Sequence, residues 1–284
     1  MQNSKCYEFK RYDYTDGLLN NSVDATYIVH LEGNGRLPDI EKQLLEYHPT
    51  NIVYIVFNKG YKKCKKDLKV QSSIYDITHA NIEIMKHSRS NGYFNTLILE
   101  DDFIFDKSIK ERRNIDNIND FVHSHKNDSY MYHLGAIPIL SVPYNLYTFY
   151  TPWCFTTHAT IFSKRAQDYI IEYDAHNEIT DWDIFLIYHI RRYIYYFPLC
   201  YQTFPETENK SNWNQPEFAS YLANGFISLN KFDVQPEPGT SIIYLFSLLF
   251  VVLFVVFIVF CIRTIMRFVP ISKSVAKLFH LPRR

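Results

Sequence analysis

Short apolar runs alternate with longer mixed segments through the first half of the chain. Three runs, 26–31, 51–57 and 97–99, consist mainly of apolar and β-branched residues and predict buried strands. Between them, the segment that follows Pro38 and the segment 76–90 predict helices. Alternation of strands and helices indicates an α/β fold with a mostly parallel sheet.

The second half of the domain adds further predicted strands and helices. Residues 130–135 and 156–162 predict strands, 164–173 a short helix and 181–195 an aromatic-rich helix.

At the N-terminus of the chain, residues 1–22 are polar and mixed, without the positive start and apolar core of a signal peptide. We therefore expect a flexible N-terminus.

An uninterrupted apolar segment lies near the C-terminus. Residues 242–262 contain no charged residue, and as a helix they would span roughly 30 Å, the thickness of a bilayer's hydrocarbon core. This predicts a transmembrane helix, preceded by a Pro- and Gly-containing linker, 235–241, and followed by a basic tail, 263–284. Residues 23–234 then form the folded domain.

Two arguments about the orientation of this domain conflict. The positive-inside rule places the basic tail in the cytoplasm and the domain outside. A chain without an N-terminal signal, however, would keep its domain in the cytosol when inserted by a C-terminal anchor. The second argument leads us to expect a single-pass membrane protein with a cytosolic domain.

Charge and cysteine usage narrow the choice of partners. Thirty Lys and Arg balance thirty Asp and Glu, and this zero net charge argues against a nucleic-acid partner. The five cysteines show no C-x-x-C pairing, so neither a zinc framework nor a disulfide framework is predicted. The lysine-rich run 62–69 could attract a diphosphate or an anionic membrane, but a solvated face is the simpler interpretation.

The most informative chemistry lies at the end of the third predicted strand, in Glu100-Asp101-Asp102. Because strand side chains alternate, Glu100 and Asp102 should face one side and Asp101 the other. Two carboxylates on one face raise each other's pKa unless a cation lies between them, and oxygen ligands suit Mg²⁺ or Mn²⁺. The alternative is that these acids solvate a turn or cap a helix.

Several motifs follow one another in a characteristic order. They are Ile28-Val29-His30-Leu31 with Arg36, Thr78-His79, Leu97-Ile98-Leu99-Glu100-Asp101-Asp102, Leu134-Gly135, Thr157-His158-Ala159 and Asp183. Over residues 27–213 this order resembles glycosyltransferase family twenty-five, which includes lipooligosaccharide and procollagen galactosyltransferases. The resemblance implies an A-type glycosyltransferase fold, a Rossmann-like mixed sheet flanked by helices, and an inverting, metal-dependent transferase that uses a nucleotide sugar such as a UDP-sugar.

The resemblance also implies roles for individual residues. Glu100 and Asp102 would hold Mn²⁺ or Mg²⁺, which neutralises the departing diphosphate. Arg36 would meet a phosphate, or be an ordinary surface arginine. Asp101 would contact the nucleotide or support the turn, and His158 would contact the donor or the metal, or be a satisfied structural group.

Inversion requires a base that takes the proton of the acceptor hydroxyl. Asp183 is the candidate and Asp181 the alternative, while a helix N-cap remains open for either. The predicted function is a membrane-anchored transfer of a hexose, such as galactose or glucose, to a hydroxyl of a glycan, lipid or protein. A catalytically inactive binding domain of the same fold is the first alternative, and a metal-dependent phosphoester hydrolase is the second.

Overall fold

The computed structural model describes residues 5–203, 225 and 239–268, which form an α/β domain and one long C-terminal helix. The strands are β1 Tyr7–Asp13, β2 Ala25–Leu31, β3 Ile52–Asn58, β4 Thr96–Glu100, β5 Phe103–Phe105, β6 Tyr130–Pro143, β7 Thr148–Phe162, β8 Arg191–Tyr195 and β9 Cys200–Gln202. The helices are α1 Leu37–Glu46, α2 Gly60–Lys63, α3 Ser73–Ser90, α4 Arg112–Ser124, α5 Lys164–Asn177, α6 Trp182–His189 and α7 Gly239–Phe268, with a 3₁₀ turn at Lys107–Lys110.

Seven strands form one mixed sheet in the order β1-β3-β2-β4-β7-β6-β8. Strand β2 is parallel to β3 and β4, and β6 is parallel to β8, whereas β1 and β7 run antiparallel to their neighbours. The sheet is thus less parallel than the alternation of elements predicts, because β7 returns directly from β6 as a hairpin. Strands β5 and β9 form a separate antiparallel pair.

Helices cover both faces of the sheet. Apolar side chains of α1 and α4 pack with Ile28 and Ile55 on one face, and those of α3, α5 and α6 pack with Tyr27 and Val56 on the other. Because β2, β3 and β4 are covered on both sides, they appear in the sequence as nearly continuous apolar runs. The carboxyl ends of β2 and β4 therefore lie at one edge of a well-packed core.

Residues 5–22 are ordered, which corrects the expectation of a flexible N-terminus over this part of 1–22, and residues 1–4 lie outside the described residues. Strand β1 pairs antiparallel with β3 along its whole length, and Cys6 is joined to Cys64 by a disulfide. Tyr7 is buried and Phe9 is partly covered, whereas the charged residues between and after them face solvent. The polar composition of this segment reflects an edge strand with one open face and not disorder. The disulfide also differs from the prediction, because the cysteine spacing indicates no disulfide.

Two other boundaries differ from prediction. The helix expected over 181–195 ends at His189, and Arg191–Tyr195 forms strand β8. Its Tyr and Ile residues favour a strand, and pairing with β6 and β7 stabilises that choice. The strands expected at 130–135 and 156–162 extend into the long β6–β7 hairpin.

The lysine-rich run includes one side chain that turns inward. The Lys66 ammonium is fully buried, and it donates hydrogen bonds to the Asp76 carboxylate and to the side-chain oxygen of Asn58. It also lies over the Tyr7 ring, 4.3 Å from the centroid. Burial lowers the pKa of Lys66, and the Asp76 carboxylate opposes this shift. Lys66 is therefore a structural group that joins α3 to the β1–β3 edge, and not part of a solvated face.

The C-terminal helix α7 contains one segment, Leu248–Met266, that is long and apolar enough to cross a membrane. The helix is longer than the predicted span 242–262, and it takes in residues 239–241 of the expected linker and 263–268 of the expected tail. Residues 235–238 and 269–284 lie outside the described residues. Helix α7 also contacts strand β6 of the domain.

Candidate functional site

The site is built at the carboxyl end of β4, where the chain turns through Asp101 and Asp102 into β5. The Asp101 carboxylate points toward the β2–α1 loop. It accepts hydrogen bonds from the backbone N–H of Leu31 at 3.2 Å and from the side-chain amide of Asn34 at 2.5 Å. His30 Nδ1 lies 3.3 Å from the same oxygen, and the Arg36 guanidinium pairs with the other one. Asp101 therefore fixes this loop to the acidic turn.

The environment keeps Asp101 ionised. Burial by itself raises its pKa, but the hydrogen bond from His30 and the charge of Arg36 outweigh it, so the pKa of Asp101 is lowered. Since the buried Asp101 carboxylate already has these partners, it supports the turn. The Arg36 guanidinium is held in the same contact.

The side chains of Glu100 and Asp102 face away from Asp101, and few hydrogen-bond donors contact them. The side-chain amide of Gln202, from β9, donates to Glu100 Oε2 at 3.2 Å and lies beside Asp102. The Oδ1 atom of Asp102 and the Oε1 atom of Gln202 are buried and have no hydrogen-bond partner. Burial and the charge of Asp101 raise the pKa of Asp102 to about 6. Burial and the neighbouring acids raise that of Glu100 well above its ordinary value.

Asp183 joins this group from the first turn of α6. The Thr157 hydroxyl of β7 lies 3.4 Å from Asp183 Oδ1 and 3.4 Å from Glu100 Oε1, so it sits between the two carboxyl groups. The Asp183 side chain is open to water, yet protein closely surrounds it on its other sides. This desolvation, followed by the charge of Asp181, raises the pKa of Asp183 to about 6.

The structure gives Asp181 and His158 structural partners. Asp181 is the N-cap of α6, and its carboxylate accepts the Ile184 N–H at 2.9 Å. His158 is buried and donates from Nε2 to the Cys200 carbonyl at 3.2 Å, while its Nδ1 accepts from the Thr156 hydroxyl at 3.1 Å. Burial lowers the pKa of His158 to about 4, so the ring is neutral. Its contact with Cys200 fixes β9 two residues before Gln202.

Close backbone packing and local strain surround these contacts. Gly135 of β6 lies so near the Cys200 carbonyl and the His158 ring that a Cβ would overlap both. Thr156 has a φ of 65°, an unusual value for a β-branched residue, immediately before Thr157. The β6–β7 pairing is irregular beside Gly135. Such bulges re-aim side chains and are frequent near functional sites.

The oxygen atoms at the acidic turn fit a divalent cation. Glu100 and Asp102 bring together two carboxyl groups, and a buried oxygen of Asp102 has no partner. Over residues 5–203, 225 and 239–268, no three His, Cys, Asp or Glu side chains form a complete set of metal ligands. A cation here would thus require other oxygens, such as those of an amide, water or a bound phosphate, which is usual for Mg²⁺.

Gln202 and Thr157 are the site residues that sequence reasoning did not assign. Both reach the site only through strand pairing: Gln202 lies opposite Phe103 in the β5–β9 pair, and Thr157 lies within the irregular part of β7. Thr157 belongs to a motif used for the family resemblance. The only local signal for Gln202 is the short apolar run after Pro198.

Comparison with known proteins gives weak likenesses. No family model matches the chain, and neither does any curated protein. Among solved structures, a glycosyltransferase involved in the glycosylation of the major capsid of PBCV-1 has a TM-score of 0.40 and 9% identity, covering 64% of this chain and 94% of that one. The protein A197 from STIV has a TM-score of 0.40 and 8% identity, covering 65% and 86%. These values are too low to support an argument about function.

Proposed function

We propose that this chain is a membrane-anchored, metal-dependent, inverting glycosyltransferase that moves a hexose from a nucleotide sugar, such as a UDP-sugar, to an acceptor hydroxyl. The observation that carries the proposal is the group of crowded carboxyls at the end of β4, with the unpartnered buried oxygen of Asp102. Crowded acids with raised pKa values in a shared site are a typical feature of functional sites.

Glu100, Asp102 and the Gln202 amide would hold the cation. When bound, Mn²⁺ or Mg²⁺ supplies positive charge that stabilises the departing diphosphate. On the far side of the turn, the contacts of Asp101 with Asn34 and Arg36 hold the loop, so that Glu100 and Asp102 keep their orientation.

Asp183 has the properties of the base. Its pKa of about 6 leaves it ionised at neutral pH yet able to accept a proton, and water reaches its side chain. The Thr157 hydroxyl orients the carboxylate beside Glu100. Asp181 already accepts the Ile184 N–H as a helix cap. We therefore assign proton removal to Asp183.

The test is a screen of nucleotide sugars with the full chain, measuring release of nucleoside diphosphate with and without Mn²⁺. Asp102→Asn should lose both Mn²⁺ binding and release. Asp183→Asn should keep Mn²⁺-dependent donor binding and lose release. Asp181→Asn is the matched control, because Asn is an equally good N-cap, and it should behave like the parent chain.

Two outcomes would reject the proposal. If the folded chain binds no nucleotide sugar in the presence of Mn²⁺, the transferase assignment fails. If it binds a donor but the parent and Asp183→Asn are equally inactive, a binding domain of this fold replaces the enzyme.

A further inference from the structure

The β6–β7 hairpin has no charged residue. From Tyr130 to Ser163 the sequence contains no Asp, Glu, Lys or Arg, although charged residues make up 21% of the chain. Its two histidines, His133 and His158, are buried. A long surface hairpin of a water-soluble domain normally carries charges on its open face, so this composition requires an explanation.

The outer part of this hairpin exposes large apolar side chains. Leu146, in the turn, is 83% exposed, and Trp153 on β7 is 53% exposed. Tyr144 is 49% exposed, and the cross-strand pair Val142 and Tyr150 is exposed by 36% and 37%. Clustered exposed apolar side chains mark an interaction surface. Tyr and Trp are the residues enriched where a bilayer meets water.

The position of the hairpin indicates its partner. Helix α7, which carries the segment able to cross a membrane, contacts β6. Once α7 enters a bilayer, this contact keeps β6 close to the membrane surface. Protein partners usually meet surfaces that combine an apolar centre with a polar or charged rim, and the hairpin offers no charge.

We propose that the outer part of the β6–β7 hairpin, from Leu146 in the turn to Trp153 on β7, inserts into the interfacial region of the lipid bilayer next to α7. The contact makes the domain a second membrane-binding element and fixes its orientation on the surface. Because Trp153 and Thr157 are four residues apart on β7, Thr157 at the edge of the acidic site lies within roughly 13 Å of Trp153. The proposal concerns where the domain sits and does not depend on the chemistry of the site.

Tryptophan fluorescence tests this contact directly. The chain has three Trp residues, Trp153, Trp182 and Trp213, of which Trp182 is buried in the domain and none lies in α7. All measurements use a chain with Trp213→Phe, so that Trp213 does not contribute to the emission. We would reconstitute the full chain into phosphatidylcholine vesicles with or without lipids brominated near the headgroup end of the acyl chains. Brominated lipid should quench part of the emission, and Trp153→Phe should abolish this quenching, whereas Trp182→Phe should retain it. Equal quenching in the parent and Trp153→Phe, or none in the parent, would overturn the proposal.

A matched pair of charged variants provides the second measurement. Leu146→Glu places a charge in the turn, and Leu45→Glu places one on α1, where Leu45 is 85% exposed. In vesicles, Leu146→Glu should reduce quenching by brominated lipid and increase quenching of Trp153 by aqueous iodide, and Leu45→Glu should change neither. A different result would reject the proposal. If brominated lipid does not quench Trp153, and Trp153 is shielded from iodide only at high protein concentration, the hairpin contacts a second copy of the chain and not the bilayer.

Discussion

Neighbouring acids in the turn after β4 should respond to the same substitution with opposite changes in stability. Asp101 is a buried carboxylate held by Arg36, Asn34 and the Leu31 N–H, and its pKa is lowered. Asp102 is equally buried but has no ion-pair partner among the described residues, and its pKa is raised to about 6. In the absence of metal, Asp101→Asn should therefore destabilise the fold and Asp102→Asn should stabilise it.

The structure sets the size of both effects. Asp101→Asn leaves the Arg36 guanidinium facing an amide, and breaking a buried ion pair by removing one partner costs about 3–5 kcal/mol. For Asp102, the folded pKa of about 6 compares with an ordinary value of 3.8. At about 1.4 kcal/mol per pH unit, ionised Asp102 lowers the free energy of unfolding by roughly 3 kcal/mol at pH 7, and Asp102→Asn should restore up to that amount.

The pH dependence of the parent follows from the same values. Because the folded pKa of Asp102 is raised, its contribution to stability is fully present below about pH 4 and is lost as the pH rises through about 6. Glu100, whose pKa is also raised, acts in the same direction. Asp102→Asn should flatten this part of the stability profile, and Asp101→Asn should flatten it less, because it removes the charge of Asp101 but leaves Asp102 buried.

Urea unfolding of the full chain in detergent micelles, with EDTA and Trp fluorescence as the signal, measures these changes. Added Mn²⁺ should then stabilise the parent and Asp101→Asn, but not Asp102→Asn, because ligand binding to the folded state raises the free energy of unfolding. If both variants shift the urea midpoint in the same direction without metal, the electrostatic description of this turn is wrong.

Three further predictions concern other parts of the molecule. Lys66→Met should destabilise the fold by about 3–5 kcal/mol, because it leaves the buried Asp76 carboxylate without its cation, and adding Asp76→Leu should recover much of the loss in urea unfolding. Gly135→Ala should push β9 away from β6 at the Cys200 carbonyl and weaken Mn²⁺ binding in calorimetry. The affinity for Mn²⁺ should fall between pH 7.5 and 5, because protons compete for Asp102, whose pKa is about 6.

Each of these has a contrary outcome. An equal loss in Lys66→Met and in the double variant would mean that the ion pair is not the cause. Unchanged Mn²⁺ affinity in a folded Gly135→Ala chain would separate β9 from the metal site. A pH-independent Mn²⁺ affinity would place the cation away from the acidic turn.

The sequence predicted the centre of the sheet well because the relevant signals are local. Strands β2, β3 and β4 are covered on both faces and therefore form apolar runs, and the three acids are adjacent in the sequence. The sequence predicts helix for the residues of β8, since short aromatic and β-branched runs have no clear period. Pairing with β6 and β7 decides that these residues form a strand.

The rest of the site depends on register, which one sequence does not show. Gln202 approaches Glu100 only because β9 pairs with β5, and Thr157 reaches Asp183 only because β7 carries an irregularity opposite β6. Asp101 illustrates the same limit. The sequence shows that Asp101 is an acid at the end of a strand. It does not show that Arg36 and Asn34 bind this acid, because they lie in the β2–α1 loop, 65 and 67 residues away.

The disulfide between Cys6 and Cys64 is informative about the cellular compartment in which the domain is located. The cytosol keeps thiols reduced, whereas disulfides persist in the endoplasmic reticulum, the periplasm and outside the cell. By the positive-inside rule, the basic tail that follows α7 in the sequence stays in the cytoplasm, which also places the domain on the other side of the membrane. The chain is thus predicted to hold its domain on the oxidising side of the membrane, contrary to the cytosolic location expected from the N-terminal sequence. Protection of the domain from protease in sealed vesicles, together with resistance of Cys6 to alkylation, would establish this, and a freely alkylated Cys6 would return the domain to the cytosol.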